Sequence, residues 1–133
     1  MPAYELTVCS RFSAAHRIRL PNGELEPSHG HNWRVEVFVR AGRLDSCGLA
    51  VDFADLRVRL DRITGSLDMT DLNQVAGLGD PGPTTELIAR HICERFAAGL
   101  PGGLSVRAVR VWETEDRAAA YLPDSDLPGP ETL

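Results

Sequence analysis

The sequence predicts an α+β fold: a four-stranded antiparallel sheet with two helices on one face, in the order strand-strand-helix-helix-strand-strand. Three observations predict it. Apolar and polar residues alternate from Asn32 to Arg40, two central windows carry apolar residues at helical spacing behind an N-capping residue, and alternation returns from Leu104 to Thr114.

The first strand is expected from Ala3 to about Ala15, where strand-forming residues dominate. In the second, Trp33, Val35, Val37 and Val39 share one side while Arg34, Glu36 and Arg40 take the other, the pattern of a half-buried antiparallel strand. The segment between them, LPNGELEPSHG, is too long for a tight hairpin, and a long loop between strands often carries function.

Asp52 can cap the first helix, with Asp55 in its first turn, Phe53, Leu56, Leu60 and Ile63 as its apolar stripe, and Gly65 as its stop. The second begins behind Pro83 with Thr84 as cap and Glu86 at its positive end. Leu87, Ile88, Ile92 and Phe96 face inward, and Gly99 and Pro101 end it. Leu104–Thr114 is the third strand, with a phase slip between Ala108 and Val109 that suggests a bulge. Arg117–Leu122 pairs with it across a turn at Glu115 and Asp116. One domain therefore spans residues 1–122, and the Pro-rich acidic segment 123–133 reads as a flexible tail. A sheet with apolar residues on both faces and two free edges is a liability alone, so a homo-oligomer is expected.

The 133 residues, 43% hydrophobic and 25% charged, suffice for one core without metal or disulfide staples, so a metal would serve chemistry or binding. Three cysteines without a C-x-x-C spacing argue for a reducing cytoplasm. No stretch approaches the length of a membrane span, and a net charge of −5 disfavours non-specific nucleic-acid binding. Arg11, Arg17 and Arg19 form a local exception, either meeting an anionic ligand group or standing as solvated charge.

Three of the four histidines are His16, His29 and His31. On an extended chain residues i and i+2 point to one side, so His29 and His31 can converge on one ion, and His16 at the end of the neighbouring strand can supply a third nitrogen. Three imidazoles and an open position make a catalytic zinc geometry. His91 lies on a helix beside Ile92 and reads as a packed core histidine.

The segments FSAAH ending at His16, HGHNW from His29, VDFADL from Val51, LDMTDLN from Leu67, PTTE from Pro83 and VWET from Val111 resemble, in order and spacing over about residues 5–121, the signatures of the 6-pyruvoyltetrahydropterin and 6-carboxytetrahydropterin synthase family. The resemblance implies the T-fold, in which trimers close a barrel and two trimers stack into a hexamer with active sites between subunits. It also implies zinc on His16, His29 and His31, Glu113 as the carboxylate that anchors a pterin ring, and Thr84 and Thr85 as hydrogen-bonding groups toward that ring. The chemistry is apt, because a pterin offers its exocyclic amine and adjacent ring N–H as parallel donors and a carboxylate accepts both. Thr84 serves equally as a helix cap.

The chain departs from the family pattern. No cysteine lies between His16 and His29, and although Asp68 matches the aspartate of the family's catalytic Asp-His pair and is a candidate catalytic residue, Met69 stands where the resemblance leads one to expect its histidine. A thioether cannot shuttle protons. Glu24, in Glu24-Leu25-Glu26-Pro27-Ser28-His29, resembles a subgroup that uses glutamate instead of cysteine, and is either that base or ordinary loop charge. Asp71 stands near Asp68 as a further candidate. The expectation is a pterin-binding homologue, acting on or binding a dihydroneopterin-like or related purine-derived compound without the standard synthase reaction. If active, it is a zinc-type carbon–oxygen or carbon–carbon lyase. The alternatives are a Glu24-based aldolase-like lyase giving 6-hydroxymethyl-dihydropterin and a non-catalytic pterin-binding protein.

Overall fold

The computed structural model describes residues 2–127. Two long strands, β1 (Tyr4–His16) and β2 (His29–Ala41), pair antiparallel along their whole length, and His16 faces His29 at the far end of the ladder. Helices α1 (Phe53–Leu67) and α2 (Thr85–Ala97) follow, separated by the short strand β3 (Thr70–Asp71) and one 3₁₀ turn at Leu72–Gln74. Strands β4 (Leu104–Thr114) and β5 (Arg117–Tyr121) close the sequence of elements. The sheet thus has five strands in the order β3-β1-β2-β4-β5, one more than expected. The additional strand is only two residues long and pairs parallel with Ala14 and Ala15, too short to leave an alternation signal.

Both helices cover one face of the sheet. Trp33, Val35, Val37 and Val39 of β2 are fully buried, together with Leu56, Leu60 and Leu67 of α1, Ile88, Ile92 and Phe96 of α2, and Val109 and Val111 of β4. Each helix begins where its cap places it: Asp52 accepts from Ala54 N and the Thr84 hydroxyl from Leu87 N. Two details of α1 differ from expectation. Gly65 is inside the helix, which runs to Leu67 because Thr64 and Leu67 still face the core, and Phe53 at its first position is 56% exposed.

The expected bulge is present, with Arg107 as the extra residue: Phe38 pairs with Ala108 and Val39 with Val106. Val106 and Ala108, two apart in sequence, therefore lie on opposite faces, and Val109 returns to the side of Val37 and Val39. The face away from the helices is not the apolar surface that two-sided burial would require. Glu36 accepts from Trp112 Nε1 at 2.7 Å and has Arg34 and Arg110 at 3.9 Å, while Arg34 lies over the Trp112 ring and Arg107 and Arg110 over Phe38. Both outer edges, β1 from Tyr4 to Ser13 and β5, lack a partner strand among the described residues. No helix of the described residues is long and apolar enough to cross a membrane. Of the proposed tail, residues 128–133 lie outside the described residues.

Candidate metal and pterin site

The site lies where β1 ends, β2 begins, β4 ends and α2 begins. His16 is in phase with Phe12 and Ala14, and His29 and His31 are in phase with Trp33, so all three imidazoles point to the helix side. Their ring centroids are 4.7, 4.8 and 5.1 Å apart, and one ligand atom from each lies within 4.8 Å of the others. The Trp33 ring, 4.9 Å from His16 and 5.1 Å from His31, forms the floor, with its indole N–H donating to Ala14 O.

Hydrogen bonding fixes the tautomers. His16 Nδ1 is 2.8 Å from Pro83 O and His29 Nδ1 is 3.0 Å from Pro27 O. A carbonyl only accepts, so both Nδ1 atoms carry the hydrogen, and in the neutral rings both Nε2 atoms then present lone pairs. Those two Nε2 atoms face each other at 3.1 Å. Two lone pairs at that distance repel unless a proton or a metal ion is shared between them. His31 Nε2 is buried without a hydrogen-bond partner. Burial, more than its charged neighbours, holds His31 below the ordinary histidine range, with Glu113 opposing the shift, which favours the uncharged ring. The orphaned nitrogen and the facing lone pairs fit a divalent ion of the zinc type, held by imidazoles that backbone carbonyls orient.

Glu113, in phase with Val109 and Val111 on β4, turns to the same side. Its Oε1 is 3.6 Å from His31 Nε2, and its Oε2 accepts from the Thr85 hydroxyl at 2.8 Å. Thr84 spends its hydroxyl on the helix cap, so Thr85 is the threonine that touches the carboxylate. A cleft of about 560 Å³ opens beside them, lined by Arg11, His31, Arg34, Trp112 and Glu113. A second of about 370 Å³, lined by Ser13, Asn32, Met69 and Thr70, meets the first at Gly30, His31 and Asn32.

The other candidates are placed differently. Asp68 Oδ1 accepts from Ser13 N at 2.8 Å, tying the end of α1 to β1, and Asp71 caps the 3₁₀ turn through Asn73 N. Neither carboxylate is within 4 Å of a histidine nitrogen of the trio, nor is that of Glu24, which is exposed in the loop before His29. Met69 is 82% exposed with φ 58°. The three arginines do not form one patch: Arg11 lines the larger cleft, Asn73 clamps the backbone of Arg17 from both sides, and Arg19 donates to Gly23 O. His91 is 6% exposed in α2, as the sequence suggests. Glu26 escaped the sequence reading. Its Oε1 is 3.8 Å from His29 Nε2, a contact set by the folding of the loop, which no periodicity announces.

Comparison with known proteins identifies the family and the fold. The chain is 35% identical over 102 residues to the dihydroneopterin monophosphate aldolase of Pyrococcus furiosus, covering 77% of this chain and 82% of that protein. It is 36% identical over 117 residues to the 6-carboxy-5,6,7,8-tetrahydropterin synthase of Synechocystis sp., covering 84% and 87%. The fold superposes on the 6-pyruvoyl tetrahydropterin synthase of Caenorhabditis elegans with a TM-score of 0.78 at 23% identity, over 93% of this chain and 98% of that one. It superposes on a Plasmodium vivax 6-pyruvoyltetrahydropterin synthase, studied with a catalytic glutamate replaced by alanine, with a TM-score of 0.73 at 21% identity, over 91% and 98%. Residues 5–124 match the family described as 6-pyruvoyl tetrahydropterin synthase, and the chain belongs to that family.

Proposed function

We propose that this protein binds a dihydroneopterin-type compound with its ring on Glu113 and its side chain beside a divalent ion on His16, His29 and His31, and cleaves that side chain in an aldolase-type reaction. The observation that carries this reading is the juxtaposition of Glu113 and His31 at 3.6 Å, which puts a ring-anchoring carboxylate next to a metal-type trio. A relative named as a dihydroneopterin monophosphate aldolase supports the reaction class. So does the chain itself, which has neither a cysteine in the loop before His29 nor a proton carrier at Met69.

In the reaction, a side-chain hydroxyl loses its proton as the bond between the two hydroxyl-bearing carbons nearest the ring breaks. The released electron pair is taken up by the conjugated ring imine, and a proton returns to the carbon that stays attached. The products are 6-hydroxymethyl-dihydropterin and a hydroxyaldehyde. Glu113 fixes the ring through its two donor N–H groups, and Thr85 fixes Glu113. A bound zinc-type ion would supply electrostatic stabilisation of the side-chain oxygens. Glu24 is the proposed base, in line with a Plasmodium vivax synthase that has a catalytic glutamate. The open edges of β1 and β5 support the trimer and stacked hexamer, in which a neighbouring copy would cover the exposed loop of Glu24.

The test is product analysis after incubation with dihydroneopterin and its mono- and triphosphates. Hydroxymethyl-dihydropterin is expected, lost in Glu24→Ala; an unchanged rate in that variant removes Glu24 from the mechanism. Robust formation of 6-pyruvoyltetrahydropterin sinks the reading altogether. A second reading, a non-catalytic pterin-binding protein, is favoured by the exposure of Glu24 and its separation from the trio. It requires pterin binding that is lost in Glu113→Ala, with no product from any dihydropterin.

A further inference from the structure

The β1–β2 ladder stops with His16 opposite His29, so Arg17 lies past its last rung. Asn73 supplies the missing partners: Arg17 N donates to its Oδ1 at 2.9 Å, and its Nδ2 donates to Arg17 O at 2.9 Å. A carboxamide carries the same donor and acceptor as a peptide unit, so this side chain stands in for one more strand residue. It also keeps the register. β3 pairs Thr70 with Ala14 and Asp71 with Ala15, and Asn73 meets Arg17 at the same sequence offset after its own backbone has turned away into the 3₁₀ turn.

The turn that carries Asn73 is itself held. Asn73 N donates to Asp71 Oδ1 at 3.0 Å, Leu72 is fully buried, and Val75 N and Leu78 N donate to Leu72 O and Val75 O. Gly79 closes over it so tightly that a Cβ there would lie 3.1 Å from Asn73 O. Along this one segment, Met69 N donates to Ser13 O, β3 pairs with Ala14 and Ala15, Pro83 O accepts from His16 Nδ1, and Asn73 grips Arg17. Every residue from Ser13 to Arg17 is thus held from residues 69–83. His16 is the last residue of its strand, and its ring meets Pro83 O only while the backbone on both sides of it keeps its course.

We infer that Asn73 is a positioning residue of this centre: by closing the backbone past His16 it sets where that imidazole presents Nε2, 3.1 Å from Nε2 of His29. It acts only through His16 and holds neither the ion nor the pterin. The inference rests on the metal reading of the trio.

The test strips the full chain with a chelator, titrates it with zinc against a chromophoric competitor, and records visible spectra with cobalt(II) in place of zinc. Asn73→Ala removes both bonds to Arg17, and about 10-fold weaker zinc binding with displaced cobalt bands is expected. Asn73→Asp keeps the acceptor for Arg17 N but sets a carboxylate against Arg17 O, so it should displace the bands as well. Arg59→Ala, which frees the end of α2 remote from Thr85, is the control for lost stability. Its thermal midpoint should fall while its zinc affinity and cobalt bands stay those of the wild type. His31→Gln tests the trio and must lose zinc. If Asn73→Ala binds zinc like the wild type with unmoved bands while His31→Gln does not bind, this inference fails and the trio reading stands. If His31→Gln also binds normally, both fail. Should the alanine variant not fold, unmoved bands in Asn73→Asp overturn the inference. So does an equal loss of zinc affinity in Arg59→Ala, because the effect would then track stability and not the grip on Arg17.

Discussion

Thr85 donates its hydroxyl hydrogen to Oε2 of Glu113 over 2.8 Å, which leaves Oε1 beside Nε2 of His31 at 3.6 Å. The threonine is in reach because it opens α2, whose cap, Thr84, sits one residue earlier. One helix start therefore positions the carboxylate, and through Pro83 O it also positions His16. A shift of this single turn would disturb both halves of the site.

The first prediction concerns ring recognition. On the proposed reading, Glu113→Gln keeps one acceptor and sets an amide NH2 against the second ring N–H, so a loss of about 1–3 kcal/mol, roughly 5- to 150-fold weaker pterin binding, is expected. Thr85→Val keeps the shape and loses the tether, so a smaller drop is expected. Fluorescence titration with a dihydropterin reads both, and equal affinity in Glu113→Gln would remove the anchor.

A second prediction concerns acid stability. Burial pushes His91 down to about 4, below its usual 6.5, so the folded state holds it neutral where the unfolded chain is protonated. The unfolded state then binds more protons, and His91 costs stability increasingly as pH falls from about 6.5 to 4, with no further slope below. His91→Gln should flatten that part of the urea-midpoint profile. An identical slope in the variant would contradict the assignment.

Arg59 carries a third. Its guanidinium donates to Phe96 O, Ala98 O and Gly99 O at 2.8–3.1 Å and lies 5.8 Å from the Phe96 ring centroid, so it satisfies the open carbonyls where α2 ends. Arg59→Ala should cost about 1–3 kcal/mol in chemical denaturation. Lysine should restore only part, since one ammonium cannot reproduce the planar fork.

Met69 provides a fourth. Its φ of 58° is the left-handed region, costly for a side chain, and its own is 82% exposed and packs little. Met69→Gly removes about 1–2 kcal/mol of strain against about 0.4–1 kcal/mol of added chain entropy. A net gain of about 0.5–1 kcal/mol in unfolding free energy is expected. A destabilised variant would mean that the methionine side chain holds the turn.

Much of this was legible in the residues. Asp52 and Thr84 announced the helices because capping is a local interaction between neighbours in sequence. The alternation through Trp33 and Val39 fixed which way His29 and His31 point, since the strand period continues unbroken into the loop end. What stayed hidden is long-range. Glu26 reaches His29 through a clasp on Ile18, Asp68 spends its carboxylate on Ser13, and β3 exists because two residues happen to lie along β1. The polar back of the sheet was written in Arg34, Glu36 and Arg40, yet their mutual pairing with Trp112 and Arg110 depends on the β2–β4 register.

That charged lattice around Glu36 bears on the order of events after synthesis. With arginines over the rings of Phe38 and Trp112, a newly made chain can finish folding without sticking to other chains through this face. The appearance of folded protein should then be independent of protein concentration.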